Sequence, residues 1–173
     1  MKKVLMISGS LREKSINTSL LRAFENELQG KADILWADID LPLFNEELEE
    51  NFPEKAGQLK QQILESDAII ISTPEYNRGM SGVLKNAIDW ASRPYGKSAW
   101  SGKKVLVAAV SPGGIGGALA VYQVKQSLLH LNANVLGQPE FMVGGGFDKF
   151  DESGILTDES TIKKIISAVD ILL

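Results

Sequence analysis

Short, β-branched apolar runs alternate along this chain with longer segments in which apolar residues recur at helical spacing. The runs predict strands at Val4–Ile7, Ala32–Ile39, Ala68–Ser72 and Lys104–Val110, with a fifth somewhere in Asn134–Val143. Their near-continuous apolarity suits strands covered on both faces of a parallel sheet. The helical pattern starts near Asn17, where Leu20, Leu21, Phe24 and Leu28 share one face. It returns at Ala56–Glu65, Val83–Ala91, about Ala118–Leu131 and Thr157–Leu173, the last capped by Thr157 or Asp158. Asp40–Pro53 is acidic, carries two prolines and reads as a long loop, either a solvated connection or a partner contact. Five strands and five helices in strict alternation predict one domain over residues 1–173, a doubly wound α/β fold with a parallel sheet of order 2-1-3-4-5.

Composition narrows the chemistry. The net charge of −4 gives no reason to expect a nucleic-acid partner. The absence of cysteine removes disulfides, thiolate nucleophiles and cysteine-ligated metals, and His130 as the one histidine removes a multi-histidine metal site. The first strand is too short for the core of a signal peptide, and no run approaches the roughly 20 apolar residues of a membrane span. A cytoplasmic protein without membrane insertion is the expectation.

In an open sheet of this order, ligands bind beyond the carboxyl ends of strands one, three and four, where the strand order reverses. The loops after those strands are the most unusual segments of the chain. The first, Gly9–Thr18, leaves a buried strand and enters a helix, so backbone N–H groups and the helix N-terminus can face an anion together. Ser10, Ser15 and Thr18 add hydroxyls, Asn17 an amide and Arg12 a charged fork suited to phosphate; Leu11 and Ile16 lie between them. A capped helix start, with Ser15 or Asn17 as cap, accounts for the same residues. Neither G-x-x-x-x-G-K-[ST] nor G-x-G-x-x-G is present: Leu119 stands where the run after strand four would need its last glycine. A monophosphate therefore fits better than a triphosphate or a dinucleotide. The second loop offers Pro74, Glu75, Tyr76 and Asn77, an aromatic face and an amide for a planar heteroaromatic ring, although a tight turn would use the same residues. The third, Ser111–Gly117, has Gly113, Gly114, Gly116 and Gly117, which fits flat ligand access or loop mobility. Gly144–Gly146 follows the fifth strand and reads as a flexible connection away from any cofactor.

With these residues in view, the chain resembles the NADPH-dependent FMN reductases, a family of quinone, chromate and azo-dye reductases with a flavodoxin-like fold. The resemblance rests on Gly-Ser-Leu-Arg-x-x-Ser-x-Asn at 9–17, Pro-Glu-Tyr-Asn at 74–77 and Gly-Val-Leu-Lys-Asn-Ala-Ile-Asp-Trp at 82–90. Ser-x-Gly-x-Ile-Gly-Gly at 111–117 and Pro-Glu-Phe at 139–141 extend it in the same order over almost the whole chain. It implies FMN as cofactor, with Ser10, Arg12, Ser15 and Asn17 on the phosphate, Pro74 to Asn77 along the isoalloxazine, and Ser111 with its glycine neighbours on the other margin of the ring. It also implies hydride transfer from NADPH or NADH, then electron transfer to a soluble acceptor: a quinone, azo compound, chromate or free flavin. A homodimer or tetramer follows from the same resemblance, with Val83–Ala91, Asp40–Pro53 and Trp90 as candidate contacts. Related reductases carry an arginine at the position of Leu119, in a tetramer network whose other members correspond to Tyr122 and Glu140, so the dimer is the firmer expectation.

The flavin would carry the chemistry, leaving no side chain a catalytic role; Glu75 is the one motif carboxylate, suited to proton transfer or to holding the loop. Tyr76 is the aromatic expected nearest the ring, His130 and the tryptophans being packing or interface residues. An open, glycine-lined cleft and a chain too short for a nicotinamide domain predict ping-pong kinetics. The competing reading is a flavodoxin-type electron carrier docking on protein partners, which the glycine-rich third loop disfavours.

Overall fold

The computed structural model describes residues 1–173. Strands β1 (Lys2–Ser8), β2 (Ala32–Trp36) and β3 (Ala68–Ser72) precede a small hairpin, β4 (Glu75–Tyr76) and β5 (Gly79–Met80). Then come β6 (Lys104–Val110), β7 (Asn134–Val135) and β8 (Phe141–Val143). Helices α1 (Ile16–Leu28), α2 (Glu54–Glu65), α3 (Gly82–Ala91), α4 (Ala118–His130) and α5 (Glu159–Leu172) connect and close the sheet. All pairs in the main sheet are parallel, in the order β2-β1-β3-β6, and β7 and β8 both lie on β6. Counting β7 and β8 as one interrupted strand, this is the 2-1-3-4-5 order of a flavodoxin-like fold.

The strand pleat divides the core into two layers. Leu5, Ile7, Ile69, Ile71, Val105 and Val107 meet α2, α3 and α4 on one face. Val4, Met6, Ile70, Leu106 and Ala108 meet α1 and α5 on the other, where Phe24 packs edge-on to Phe141 at 5.1 Å. In-register pairing brings Ser8 beside Ser72 and Ser72 beside Ala108, so the three loops leave one edge at one level. Asp158 caps α5; Thr161, through its hydroxyl and its N–H, holds the Asp158 carboxyl down to about 2.

One expectation needs correction and two gain detail. The second strand stops at Trp36, because Asp38 accepts the Asp40 N–H and pairs with Lys55 at 2.8 Å, turning the chain towards α2. The fifth strand breaks between Val135 and Phe141, where Pro139 has no N–H to pair. The acidic segment is a loop strapped to α3 at a few points, with much of its length, Leu43 included, exposed. Phe44 donates its N–H to Asn86 Oδ1 at 2.8 Å, while Asn86 and Trp90 donate to Pro42 O at 3.0 and 2.7 Å. Phe44 and Phe52 both meet Trp90 edge-on at 5.0 Å, and Arg93 pairs with Glu46 and Glu49. Trp90 is fully buried by these contacts and is not a subunit-contact residue. No helix is long and apolar enough to cross a membrane.

Candidate functional site

The first loop is set by hydrogen bonds to its neighbours. Gly9 donates its N–H to Ser72 O at 2.7 Å, and its carbonyl accepts the Ser81 hydroxyl at 2.6 Å. A Cβ at Gly9 would lie 2.9 Å from Thr73 Oγ1 and 3.0 Å from Thr73 Cα, so the close approach of the first two loops needs glycine. Ser15 is the cap of α1, accepting the Thr18 N–H. The first N–H groups of the helix, from Ile16 and Asn17, have no carbonyl one turn earlier to bond and open outward. Ser10 Oγ accepts the Arg12 N–H at 3.2 Å, and the exposed Arg12 guanidinium bends over the loop onto Lys14 O at 2.6 Å.

Asn17 does something else. It is 2% exposed, and its amide spans the chain: Nδ2 donates to Val110 O at 3.1 Å while Oδ1 accepts the Val110 N–H at 3.0 Å and the Ser72 hydroxyl at 2.9 Å. The side chain bonds the end of β6 as another strand would. It is a tie between the three loops, and one amide proton is all it has left for a ligand.

Beyond Thr73, the second loop folds into the β4–β5 hairpin, with Asn77 and Arg78 at φ 51° and 65°. Tyr76 stands 58% exposed. Glu75 accepts the Leu119 and Ala120 N–H groups on Oε2 at 3.0 and 3.1 Å and faces Arg78 from Oε1 at 3.4 Å. Its carboxylate thus serves the start of α4, a role in holding the loop. In the third loop, Ser111 accepts the Gly113 N–H on its hydroxyl and the Gly146 N–H on its carbonyl, at 3.2 and 2.9 Å.

Nine of the expected residues line one open cleft of about 200 Å3: Ser10, Arg12, Ser15, Ile16, Asn17, Pro74, Glu75, Tyr76 and Ser111. Leu11, Asn77, Gly113 and Gly114 stand exposed outside that lining, and Thr18 bonds Ser8 beneath it at 2.7 Å. Val110, Pro112 and Phe147 line the cleft and were not expected there. Phe147, 63% exposed, arrives on the loop after β8. The glycine triplet before it is therefore packed beside the site, contrary to its reading as a flexible connection. A Cβ at Gly144 would fall 2.4 Å from Gly114 O, and one at Gly146 would fall 2.6 Å from Val110 Cγ2 and 3.2 Å from Ile16 Cδ1. The triplet itself was the signal for Phe147, since a fifth strand end reaches the same sheet edge.

A wider groove of about 1240 Å3 lies between α3 and α4. It reaches β5 at Met80 and is otherwise lined by side chains of helix flanks, such as Lys85, Asp89, Gln126 and His130. His130 is exposed there, which removes a core-packing role. The smaller cleft has what a cofactor monoester requires: hydroxyls, an arginine and open helix N–H groups at one end, with Pro74 and Tyr76 at the other.

Comparison with known proteins agrees with this geometry. The chain is 44% identical over 159 residues to a quinone reductase of Pseudomonas putida, covering 91% of this chain and 86% of the relative. It is 38% identical over 169 residues to a 2-hydroxy-1,4-benzoquinone reductase of Burkholderia, covering 97% and 92%. The solved structure of FerB, a flavoenzyme NAD(P)H:(acceptor) oxidoreductase from Paracoccus denitrificans, superposes with a TM-score of 0.91 at 39% identity over 99% of this chain and 95% of that one. Residues 2–148 match the NADPH-dependent FMN reductase family, and the chain belongs to it.

Proposed function

We propose that this protein is an FMN-dependent NAD(P)H oxidoreductase that reduces a small soluble acceptor of the quinone class. The observation that carries the reading is the convergence of three strand-end loops on one cleft, with phosphate-type donors at one end and Pro74 and Tyr76 at the other. The names of the Pseudomonas putida and Burkholderia relatives support quinones ahead of azo compounds, chromate or free flavin. FMN, when bound, supplies the hydride and electron transfer. The chain supplies the holding: Ser10, Arg12 and the N–H groups of Ile16 and Asn17 for the phosphate, Pro74 and Tyr76 for the ring, Ser111 and Pro112 for its open margin. Glu75 is the one carboxylate of the cleft, its oxygens are engaged, and no imidazole lines the cleft, so proton exchange falls to solvent.

Arg12→Ala is expected to weaken FMN binding by about 1.5–3 kcal/mol, the scale of a hydrogen bond to a charged group. Riboflavin, without the phosphate, should lose little. Fluorescence titration of the flavin-free protein with each flavin checks this, and equal losses would make Arg12 a structural residue and remove the phosphate assignment.

The reading includes a single site used in turn by reduced nicotinamide and acceptor, because the third-loop margin of the open cleft, Pro112, Gly113 and Gly114, carries little side-chain bulk, Phe147 standing on the loop after β8. Double-reciprocal plots at several acceptor concentrations should be parallel; intersecting lines would require both substrates to be bound together. It also includes a homodimer. Tyr95, 90% exposed, stands at the groove between α3 and α4, and Leu119, Tyr122 and Leu129 are exposed along α4. Tyr122 donates to Glu140 at 3.2 Å, with Lys125 at 3.8 Å, so part of the cluster that an arginine joins in related chains is satisfied within this one. Light scattering at micromolar concentration should give twice the 18.8 kDa chain mass, and a monomer would refute the dimer.

A further inference from the structure

The first N–H groups of α4 need acceptors, and its cap residue, Gly117, has no side chain to offer one. The left-handed φ of 78° at Gly117 seats the helix start on β6, where a Cβ would fall 2.8 Å from the Ala109 Cβ. The acceptor comes from a different loop. Glu75, its side chain 9% exposed, turns a carboxylate to the Leu119 and Ala120 N–H groups, negative charge against the positive end of the helix dipole.

One turn further along α4, Gln123 Oε1 accepts the Met80 N–H at 2.7 Å. Gly79 permits that approach, since a Cβ there would lie 3.1 Å from Gln123 Oε1. Glu75 is on β4 and Met80 on β5, so one helix holds both strands of the hairpin, and the Tyr76–Asn77 corner is carried between them. Strands of two residues each hold no such corner unaided, least of all one with Asn77 and Arg78 in the left-handed region. The first loop is anchored by Asn17 to Val110 and Ser72, and by Ser81, the residue after β5, to Gly9.

We infer that Glu75 and Gln123 are a clamp through which α4 sets the Tyr76–Asn77 corner for the flavin ring, and that Gln123, outside the cleft, is a positioning residue for ring binding. The inference rests on the FMN reading above and adds to it which part of the cofactor each anchor serves. Because the Asn17 bonds hold the phosphate end without the hairpin, a defect in the clamp loosens the ring end first and falls on FMN and riboflavin alike, the opposite of the selectivity expected for Arg12.

The test uses the full-length protein stripped of flavin, titrated with FMN and with riboflavin, alongside amide hydrogen exchange without flavin. Gln123→Met keeps the side-chain length and removes the acceptor. It should raise the Kd of both flavins by one common factor of about 3–10, the effect of one net hydrogen bond, and speed exchange at Met80. Gln123→Glu restores an acceptor oxygen and should return both Kd values to within about twofold of wild type. Faster Met80 exchange with unchanged flavin affinity would make the clamp a matter of folding only and overturn the inference. A loss confined to FMN would overturn it as well, by moving the effect to the phosphate end. Wild-type protein that binds neither flavin would overturn the functional reading and the ring-side role together, an outcome separate from the other two.

Discussion

Asn17→Ala should destabilise the fold by about 3 kcal/mol, the largest effect expected from a polar residue in this chain. Three hydrogen bonds end on its amide, and truncation leaves the Val110 N–H, the Val110 carbonyl and the Ser72 hydroxyl buried without partners. Each such group costs roughly 1–3 kcal/mol, offset in part because the Ser72 hydroxyl can rotate. Urea unfolding of the flavin-free protein should show a midpoint lowered by about 1–2 M for a slope in the usual range. Asn17→Asp should also destabilise: it keeps an acceptor for Val110 N–H but has no donor for Val110 O, and it buries a charge. A variant with an unchanged midpoint and a loss of FMN affinity alone would show that Asn17 serves the phosphate after all.

Gly116→Ala is expected to cost a similar amount for a steric reason. Gly116 has φ 63°, and a Cβ there would lie 2.4 Å from the Met142 carbonyl carbon and 2.6 Å from Val143 N. These are backbone atoms of β8, which cannot swing aside as a side-chain end can. The left-handed conformation costs about 1–2 kcal/mol for alanine, and forcing β8 from β6 adds about 1–3 kcal/mol. The sum, about 3 kcal/mol, should lower the melting temperature by roughly 6–12 °C in a chain of this size. Gly114→Ala is the control, because a Cβ there meets nothing within 4 Å. If both variants melt with the wild type, the third loop is not packed on β8 as described.

What could be read before any coordinates was set by residues whose chemistry has one use. The apolar β-branched run Ala68–Ser72 can only be an interior strand, and its bounds match β3 residue for residue. The caps were legible as a choice between neighbours, Ser15 or Asn17 and Thr157 or Asp158, and Ser15 and Asp158 are the ones that cap. The cleft was legible for a related reason: strand order alone brings three loops to one edge. Residues with two possible uses misled. An asparagine amide can meet a phosphate or imitate a strand, and only the distance to Val110, 93 positions away, decides. A glycine run is compatible with freedom or with close packing, and Gly144 and Gly146 are closely packed. In the strap, the acidic residues concealed the apolar ones: Phe44 and Phe52 are spaced to grip Trp90, a contact that no local pattern announces.

The break in the fifth strand bears on aggregation. An open sheet ends in a row of unpaired backbone groups that another chain can extend, and the hazard grows with the length of that row. Here the outer edge beside β6 consists of two residues of β7 and three of β8, separated by a stretch containing Gly137 and Pro139. Neither piece is long enough to template a strand, and the proline denies a donor in the gap between them. The opposite edge is β2, five residues without interruption. A partly unfolded chain that recruits its neighbours by strand addition therefore has one usable seed, Ala32–Trp36.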